Sequence, residues 1–101
     1  MNTLDKVAIT SRSFCANDHL VNELRTRYKN ITLNDSGKTL VGDELLNFLK
    51  DHNKVIVGLE NFDKNLIEQL PELRVISKFG VGLNNIDLVS MKEKGISLGF
   101  Q

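Results

Sequence analysis

The feature that most constrains this chain is a regular exchange between two periodicities. Short runs of Val, Ile and Leu at Lys6–Thr10, Ile31–Asn34, Lys54–Gly58, Arg74–Lys78 and Ile96–Gly99 alternate with segments whose apolar residues recur every three or four positions. The first pattern is that of buried strands and the second that of amphipathic helices. Asn17 or Asp18 caps a helix whose Leu20, Leu24 and Tyr28 share a face, and Asp43 opens one with Leu45, Leu46 and Leu49 inward. Asp63 precedes Leu66, Ile67 and Leu70, which run up to Pro71; Asp87 precedes Leu88 and Met91, ahead of Gly95. Short polar side chains satisfy the first free N–H groups of a helix, whereas proline and glycine end one. Strands separated by helices run parallel, because a crossover connection returns the chain to the same end of the sheet. The expectation is an α/β three-layer sandwich around a five-stranded parallel sheet of flavodoxin-like order 2-1-3-4-5. Chemistry then belongs at the C-terminal strand ends beside the switch point: Ser11–Ala16, Leu59–Phe62, Phe79–Asn85 and the end of the chain.

Residues 1–101 read as one domain, without repeats, low-complexity tracts or linkers. A chain of this length can bury about 65% of its unfolded surface, which supports a modest core. Its 13 Lys and Arg are balanced by 13 Asp and Glu, so there is no general cationic surplus to displace counterions from a nucleic acid. Cys15 is the only cysteine, which excludes an internal disulfide and fits a reducing compartment. The first twenty residues lack a basic stretch followed by a long apolar one, and no apolar run approaches the ~18 residues of a membrane span. The expected setting is cytoplasmic, with neither nucleic acid nor membrane as partner.

Several motifs fail on spacing. Ser36-Gly37-Lys38-Thr39 resembles the end of a phosphate-binding loop, but Thr32 stands where the earlier glycine is needed, and a solvated turn is the better reading. Cys15 follows the first strand as a phosphatase nucleophile would, yet Val21 occupies the position of the phosphate-holding arginine and Asp18 adds a repelling charge. It reads as a small, partly buried thiol. A phosphoacceptor receiver needs an acidic pair after the first strand, where Thr10-Ser11-Arg12 stands, and an aspartate after the third, where Gly58-Leu59-Glu60 stands. His19 and His52 have no second ligand at metal spacing and read as surface histidines.

The informative segment is Gly80-Val81-Gly82-Leu83-Asn84-Asn85-Ile86-Asp87. Two glycines after a buried strand allow a sharp turn and bring N–H groups close to an anion such as a carboxylate. The same pattern also serves as a plain strand-to-helix turn. It differs from the dinucleotide fingerprint at its third glycine, which is Asn85, and the acidic residue some twenty positions later would fall at or beyond Gln101.

The stretch from Leu73 to Leu88 (LRVISKFGVGLNNIDL), followed by Lys94-Gly95-Ile96, resembles the end of the N-terminal substrate-binding domain of D-isomer-specific 2-hydroxyacid dehydrogenases, particularly phosphoglycerate dehydrogenase-like members. Val55-Ile-Val-Gly-Leu-Glu-Asn61 resembles the loop after the third strand, and Thr10-Ser-Arg-Ser-Phe14 a first-strand ending of some members. The resemblance implies hydride transfer between NAD or NADP and a small 2-hydroxy or 2-keto acid. It assigns Gly80, Val81 and Gly82 to the substrate carboxylate, places Glu60 and Asn61 on a substrate-facing loop, and puts Asn84 and Asn85 near the cofactor. An acidic residue at 60, where several members carry Arg-Ser, disfavours a phosphorylated substrate. No catalytic or metal-ligating residue is expected in this chain, because the resemblance assigns the cofactor loop and the catalytic residues to a second, nucleotide-binding domain that must be supplied as a partner. The chain alone is expected to be inactive and to bind no cofactor. A non-catalytic stand-alone binding or regulatory module is the alternative. Ile96, Leu98 and Phe100 alternate at strand spacing, and their expected exposure implies self-association.

Overall fold

A computed structural model describes residues 2–80 and 82–100. Its elements follow in the order β1 (Asn2–Ile9), α1 (Arg12–Cys15), α2 (Asp18–Arg25), β2 (Tyr28–Leu33), α3 (Gly42–Leu49), β3 (Lys54–Val57), α4 (Lys64–Glu68), β4 (Val75–Lys78), α5 (Leu88–Glu93) and β5 (Ser97–Phe100). The five strands form one sheet of order β2-β1-β3-β4-β5, and every pairing is parallel. The expected architecture and strand order are therefore present.

The period of two along each strand divides the core. Ala8, Val55, Val57 and Ile76 pack with Leu45 and Leu49 of α3, Leu66 and Ile67 of α4, and Met91 of α5. Val7, Ile9 and Ile56 point the other way and pack with Phe14 of α1 and Val21 of α2. Burying each such aliphatic side chain contributes roughly 1.5–3 kcal/mol, and both faces of β1 and β3 carry them. At the opposite end of the strands from the expected site, Lys54 Nζ lies 2.8 Å from Asp5 Oδ2. The same ammonium donates to Tyr28 Oη at 3.2 Å and sits 4.8 Å from the ring centroid. Asn53 donates to Asp5 Oδ1 at 2.8 Å and accepts from Lys6 N at 2.9 Å, so three strands are tied together there.

Several local expectations require correction. Of the two caps expected for α2 it is Asn17 that serves, but Tyr28 belongs to β2 rather than to the helix. Thr26 folds back onto the Glu23 carbonyl through its hydroxyl at 2.6 Å and its N–H at 3.1 Å, which tightens the last turn and frees the chain to enter the edge strand three residues earlier than expected. α3 starts at Gly42 behind an extended Val41, so Asp43 lies in the first turn, where the helix dipole favours its charge, and does not cap. Residues 12–15 form a short helix where only a loop was expected. Leu88 is 44% exposed, not inward. Ile86 takes its place: it precedes the Asp87 cap and joins Met91 in the same buried cluster, as in a hydrophobic staple. Ile96 is buried and Leu98 is partly buried against the core, which contradicts their expected exposure, because β4 pairs along β5 and α5 covers that face. The Phe100 side chain lies outside the described residues.

Candidate functional site

Gly58, at the end of β3, is the hub around which the strand ends are arranged. A Cβ there would stand 3.0 Å from Ser11 Cα and 3.1 Å from Ser11 Cβ, so only glycine lets β3 end flush against the start of α1. Ser11 is itself buried and caps α1, its hydroxyl accepting from Phe14 N at 3.2 Å. The Gly58 N–H donates to Glu60 Oε1 at 3.1 Å. The Gly58 carbonyl accepts from Asn85 Nδ2 at 3.0 Å and from the buried Lys78 ammonium. Asn85 Nδ2 also donates to the Glu60 carbonyl at 2.7 Å.

The same lacing continues one residue on. Phe62 N donates to Asn85 O at 2.7 Å and Asp87 N to Phe62 O at 2.8 Å, forming a parallel bridge between Phe62 and Ile86. Each of these apolar residues precedes a capping aspartate, Asp63 of α4 and Asp87 of α5, so both helices begin side by side. The segment after β4 is thereby held against the segment after β3.

Between the ends of β1, β3 and β4 lies a cleft of about 460 Å³, lined by Arg12, Ser13, Thr39, Leu59, Glu60 and Gly80, among others. It occupies the switch point, where β1 and β3 are neighbours and the chain leaves them in opposite directions. Gly80 and Gly82 have φ of +122° and +81°, and a Cβ on either would meet nothing within 4 Å. Glycine is required there by backbone conformation and not by crowding. Val81, assigned to the same turn, lies outside the described residues. Glu60 is 2% exposed, with one carboxylate oxygen turned to the backbone. Asn61 opens instead onto a neighbouring pocket of about 260 Å³ beside Val41 and Leu66. Asn84 is exposed, while Asn85 is half-buried and committed to the two carbonyls.

Sequence reasoning had not singled out Arg12, Thr39 or Lys78. Arg12 and Thr39 reach the cleft because α1 turns the chain back over β1 and because residues 34–39 fold beside it. Asn34 Nδ2 donates to Thr10 O at 3.2 Å and to Lys38 O at 2.9 Å, and Arg12 Nη1 donates to Gly37 O at 3.1 Å. Their signal was position alone, since Arg12 stands in the first strand-end segment and Thr39 ends the motif that failed as a phosphate loop. Burial pushes the Cys15 thiol pKa up, with the charges of Asp35 and Glu60 adding to the effect against a lowering hydrogen bond from Asn34. A thiol held in this way is a poor nucleophile at neutral pH.

The residues after β4 do not fit a dinucleotide. The third glycine of such a loop allows close helix packing beneath a pyrophosphate, whereas Asn85 stands there with its amide already engaged. The Asp87 carboxylate occupies the α5 N-terminus, accepting from Ser90 N at 3.1 Å, and this backbone bond holds its pKa below the usual carboxylate range. An anionic cap at that point repels a pyrophosphate.

Comparison with known proteins places these observations. The catalytic domain of the D-isomer specific 2-hydroxyacid dehydrogenases matches residues 7–99. Glyoxylate/hydroxypyruvate reductase A of Arabidopsis thaliana is 38% identical over 80 residues, 77% of this chain and 25% of the relative. Hydroxyphenylpyruvate reductase of Plectranthus scutellarioides is 42% identical over 45 residues, 43% of this chain and 14% of the relative. The NAD+-bound 3-phosphoglycerate dehydrogenase of Entamoeba histolytica superimposes with a TM-score of 0.78 over 98% of this chain and 33% of its own, at 20% identity, a likeness of fold. The chain thus spans a quarter or less of the length of these two curated relatives. Matched over 93 of its 101 residues, it belongs to the D-isomer specific 2-hydroxyacid dehydrogenase family.

Proposed function

We propose that this chain is the substrate-binding domain of a D-2-hydroxyacid dehydrogenase, a single domain over residues 1–101 that holds a small 2-keto or 2-hydroxy acid by its carboxylate. The observation that carries this reading is the turn after β4: Gly80 and Gly82 both at positive φ, both open on the side where a Cβ would stand, and Gly80 lining the switch-point cleft. Successive N–H groups in such a turn form a concavity of positive potential that suits a carboxylate. Glu60 flanks the substrate on the loop after β3, with Asn61 next to it turned to the neighbouring pocket, and Asn84 and Asn85 stand on the side from which the cofactor approaches. NAD or NADP, and the groups that move the proton and hydride, are contributed by a nucleotide-binding domain other than the residues described. The family match and the NAD+-bound neighbour support this division, as does the poor fit of the Asn85–Asp87 segment to a pyrophosphate. A cytoplasmic setting belongs to the same reading and rests on the lone cysteine.

The test is titration of the isotopically labelled chain with pyruvate and, separately, with NADH. Pyruvate is expected to shift the amide resonances of Gly80 and Gly82 at millimolar concentration, and NADH to leave the spectrum unchanged, with no oxidation of NADH when both are present. Gly82→Ala should lower stability by about 1–2 kcal/mol through the unfavourable φ and weaken pyruvate binding beyond that loss. Pyruvate shifts confined to other parts of the chain, or micromolar NADH binding, would overturn the reading.

A further inference from the structure

Independently of the carboxylate turn, we propose that the ledge between β2 and the segment leaving α3 is a binding site for a small, multiply charged phosphate. Lys6 of β1, Lys29 of β2 and Lys50 at the end of α3 line one concavity of about 460 Å³ there, together with Thr32, Asp51 and His52. That volume falls within the roughly 300–1,000 Å³ of ordinary ligand sites. The ledge lies toward the other end of β1 from the glycine turn, next to Asn53, whose N–H donates to Lys6 O at 3.1 Å.

The positive charge gathered there is unmatched. The chain is neutral as a whole, and Arg27, Lys38 and Lys54 are paired with Glu23, Glu44 and Asp5. Lys6, Lys29 and Lys50 have no carboxylate within ion-pairing distance among the described residues. Asp51 is the one acid lining the concavity, so three ammoniums face a single carboxylate. Like charges brought together from three elements repel one another, and a polyanion set between them relieves that repulsion. Lysine is a compact charge on a flexible stem, without the planar fork that selects a carboxylate. The number of negative charges on the ligand therefore governs what binds, which favours a phosphate chain over a singly charged acid.

The wall of the ledge is held in place by His52. Its Nδ1 lies 2.8 Å from Lys50 O and its Nε2 2.9 Å from Thr32 Oγ1. A carbonyl only accepts, so Nδ1 carries the proton and the Thr32 hydroxyl donates to Nε2 of the neutral ring. The ring also stacks on Phe48, with centroids 6.4 Å apart and planes 8° from parallel. Asp51 has a φ of 66°, a left-handed backbone that aspartate tolerates better than most residues, and this lets the chain double back so that His52 reaches both partners. The imidazole is thus a strut that fixes the Lys50 segment over β2 and leaves the binding to the lysines.

Titration of the isotopically labelled chain with orthophosphate and with tripolyphosphate tests the proposal. At about 20 mM salt, where screening is weak, tripolyphosphate is expected to bind with a Kd below about 1 mM and more tightly than orthophosphate. It should shift the amides of residues 29–32 and 50–52. Lys6→Gln, Lys29→Gln and Lys50→Gln should each weaken binding roughly two- to fivefold. Asp51→Asn, which keeps a residue suited to the left-handed backbone, should tighten it by a similar factor. Thr32→Val retains every charge and a β-branched side chain but takes the hydroxyl from His52, and it too should weaken binding. All five positions are exposed, a retained amide spectrum confirms that each variant folds, and since each is measured separately, one that fails to fold leaves the others to decide. Shifts confined to Gly80, Gly82 and the switch-point cleft, or no shifts at all, would overturn the proposal. So would an affinity unchanged by the lysine substitutions. Equal affinity in Thr32→Val would overturn it as well, by reducing the cluster to diffuse surface charge. None of these outcomes bears on pyruvate binding at the glycine turn.

Discussion

Asn85 shows how one side chain can be read in two ways at the residue scale. Its place after two glycines marked it as a group near the cofactor, yet its amide nitrogen spans the Gly58 and Glu60 carbonyls at 3.0 and 2.7 Å. A residue so engaged carries structural energy whatever else it faces. Asn85→Ala takes the side-chain donor from the Glu60 carbonyl, while the Gly58 carbonyl keeps Lys78, and should cost about 1–3 kcal/mol, read as a fall of roughly 4–8 °C in Tm for each kcal/mol in a domain of this size. An unchanged Tm with altered ligand binding would show that the two hydrogen bonds contribute nothing to the fold. Gly58 is legible in the opposite sense. Its glycine stands out in the sequence after a buried run, but the reason for it, the approach of Ser11 within 3.0–3.2 Å of any Cβ, comes from a residue 47 positions earlier.

At the scale of elements, the ion pair joining β1 and β3 makes the sheet sensitive to pH in a defined direction. Asp5 has its carboxyl pKa lowered, chiefly by its hydrogen bond to the Lys54 side chain, and Lys54 has its ammonium pKa raised, chiefly by Asp5. An acid whose pKa falls on folding stabilises the fold above its unfolded value and loses that contribution as pH drops through the folded one. A base whose pKa rises stabilises below its unfolded value and loses it as pH climbs through the folded one. The pair therefore contributes fully between about pH 4 and pH 10.4 and fades on both sides. Urea midpoints measured from below to above that range should fall beyond both of its ends in the native chain, and Asp5→Asn should flatten the acid arm relative to it. Equal pH profiles for both chains would remove the pair from the account. Helix starts behaved differently, because capping is local: Asp63 and Asp87 cap as their sequence positions imply, accepting from Leu66 N and Ser90 N. α3 departed from that rule since its start is set by the extended Val41 and not by a cap.

Across the whole molecule, a Cα radius of gyration of 12.5 Å matches the roughly 13 Å expected of a folded chain of about a hundred residues, so the chain packs as a unit. Its two sheet edges are unequal. β2 exposes Lys29, a charge that discourages edge pairing, while β5 reads Ser-Leu-Gly-Phe with none. The buried Ile96 reduces the apolar patch expected at this edge, yet among the described residues no strand pairs with the outer side of β5. Sedimentation velocity should therefore show concentration-dependent dimers, and a single monomeric species at high concentration would exclude pairing through β5. Layer order, strand direction and the position of the glycine turn were legible from sequence, because hydrophobic period, capping residues and crossover handedness are properties of neighbouring residues. Which side chains share the cleft was not. Arg12, Thr39, Glu60 and Gly80 are brought together by the sheet order and by hydrogen bonds between distant loops, such as that from Arg12 to Gly37. Such contacts leave no periodic trace in sequence, so local pattern located the strand ends and only tertiary packing decided what faces what there.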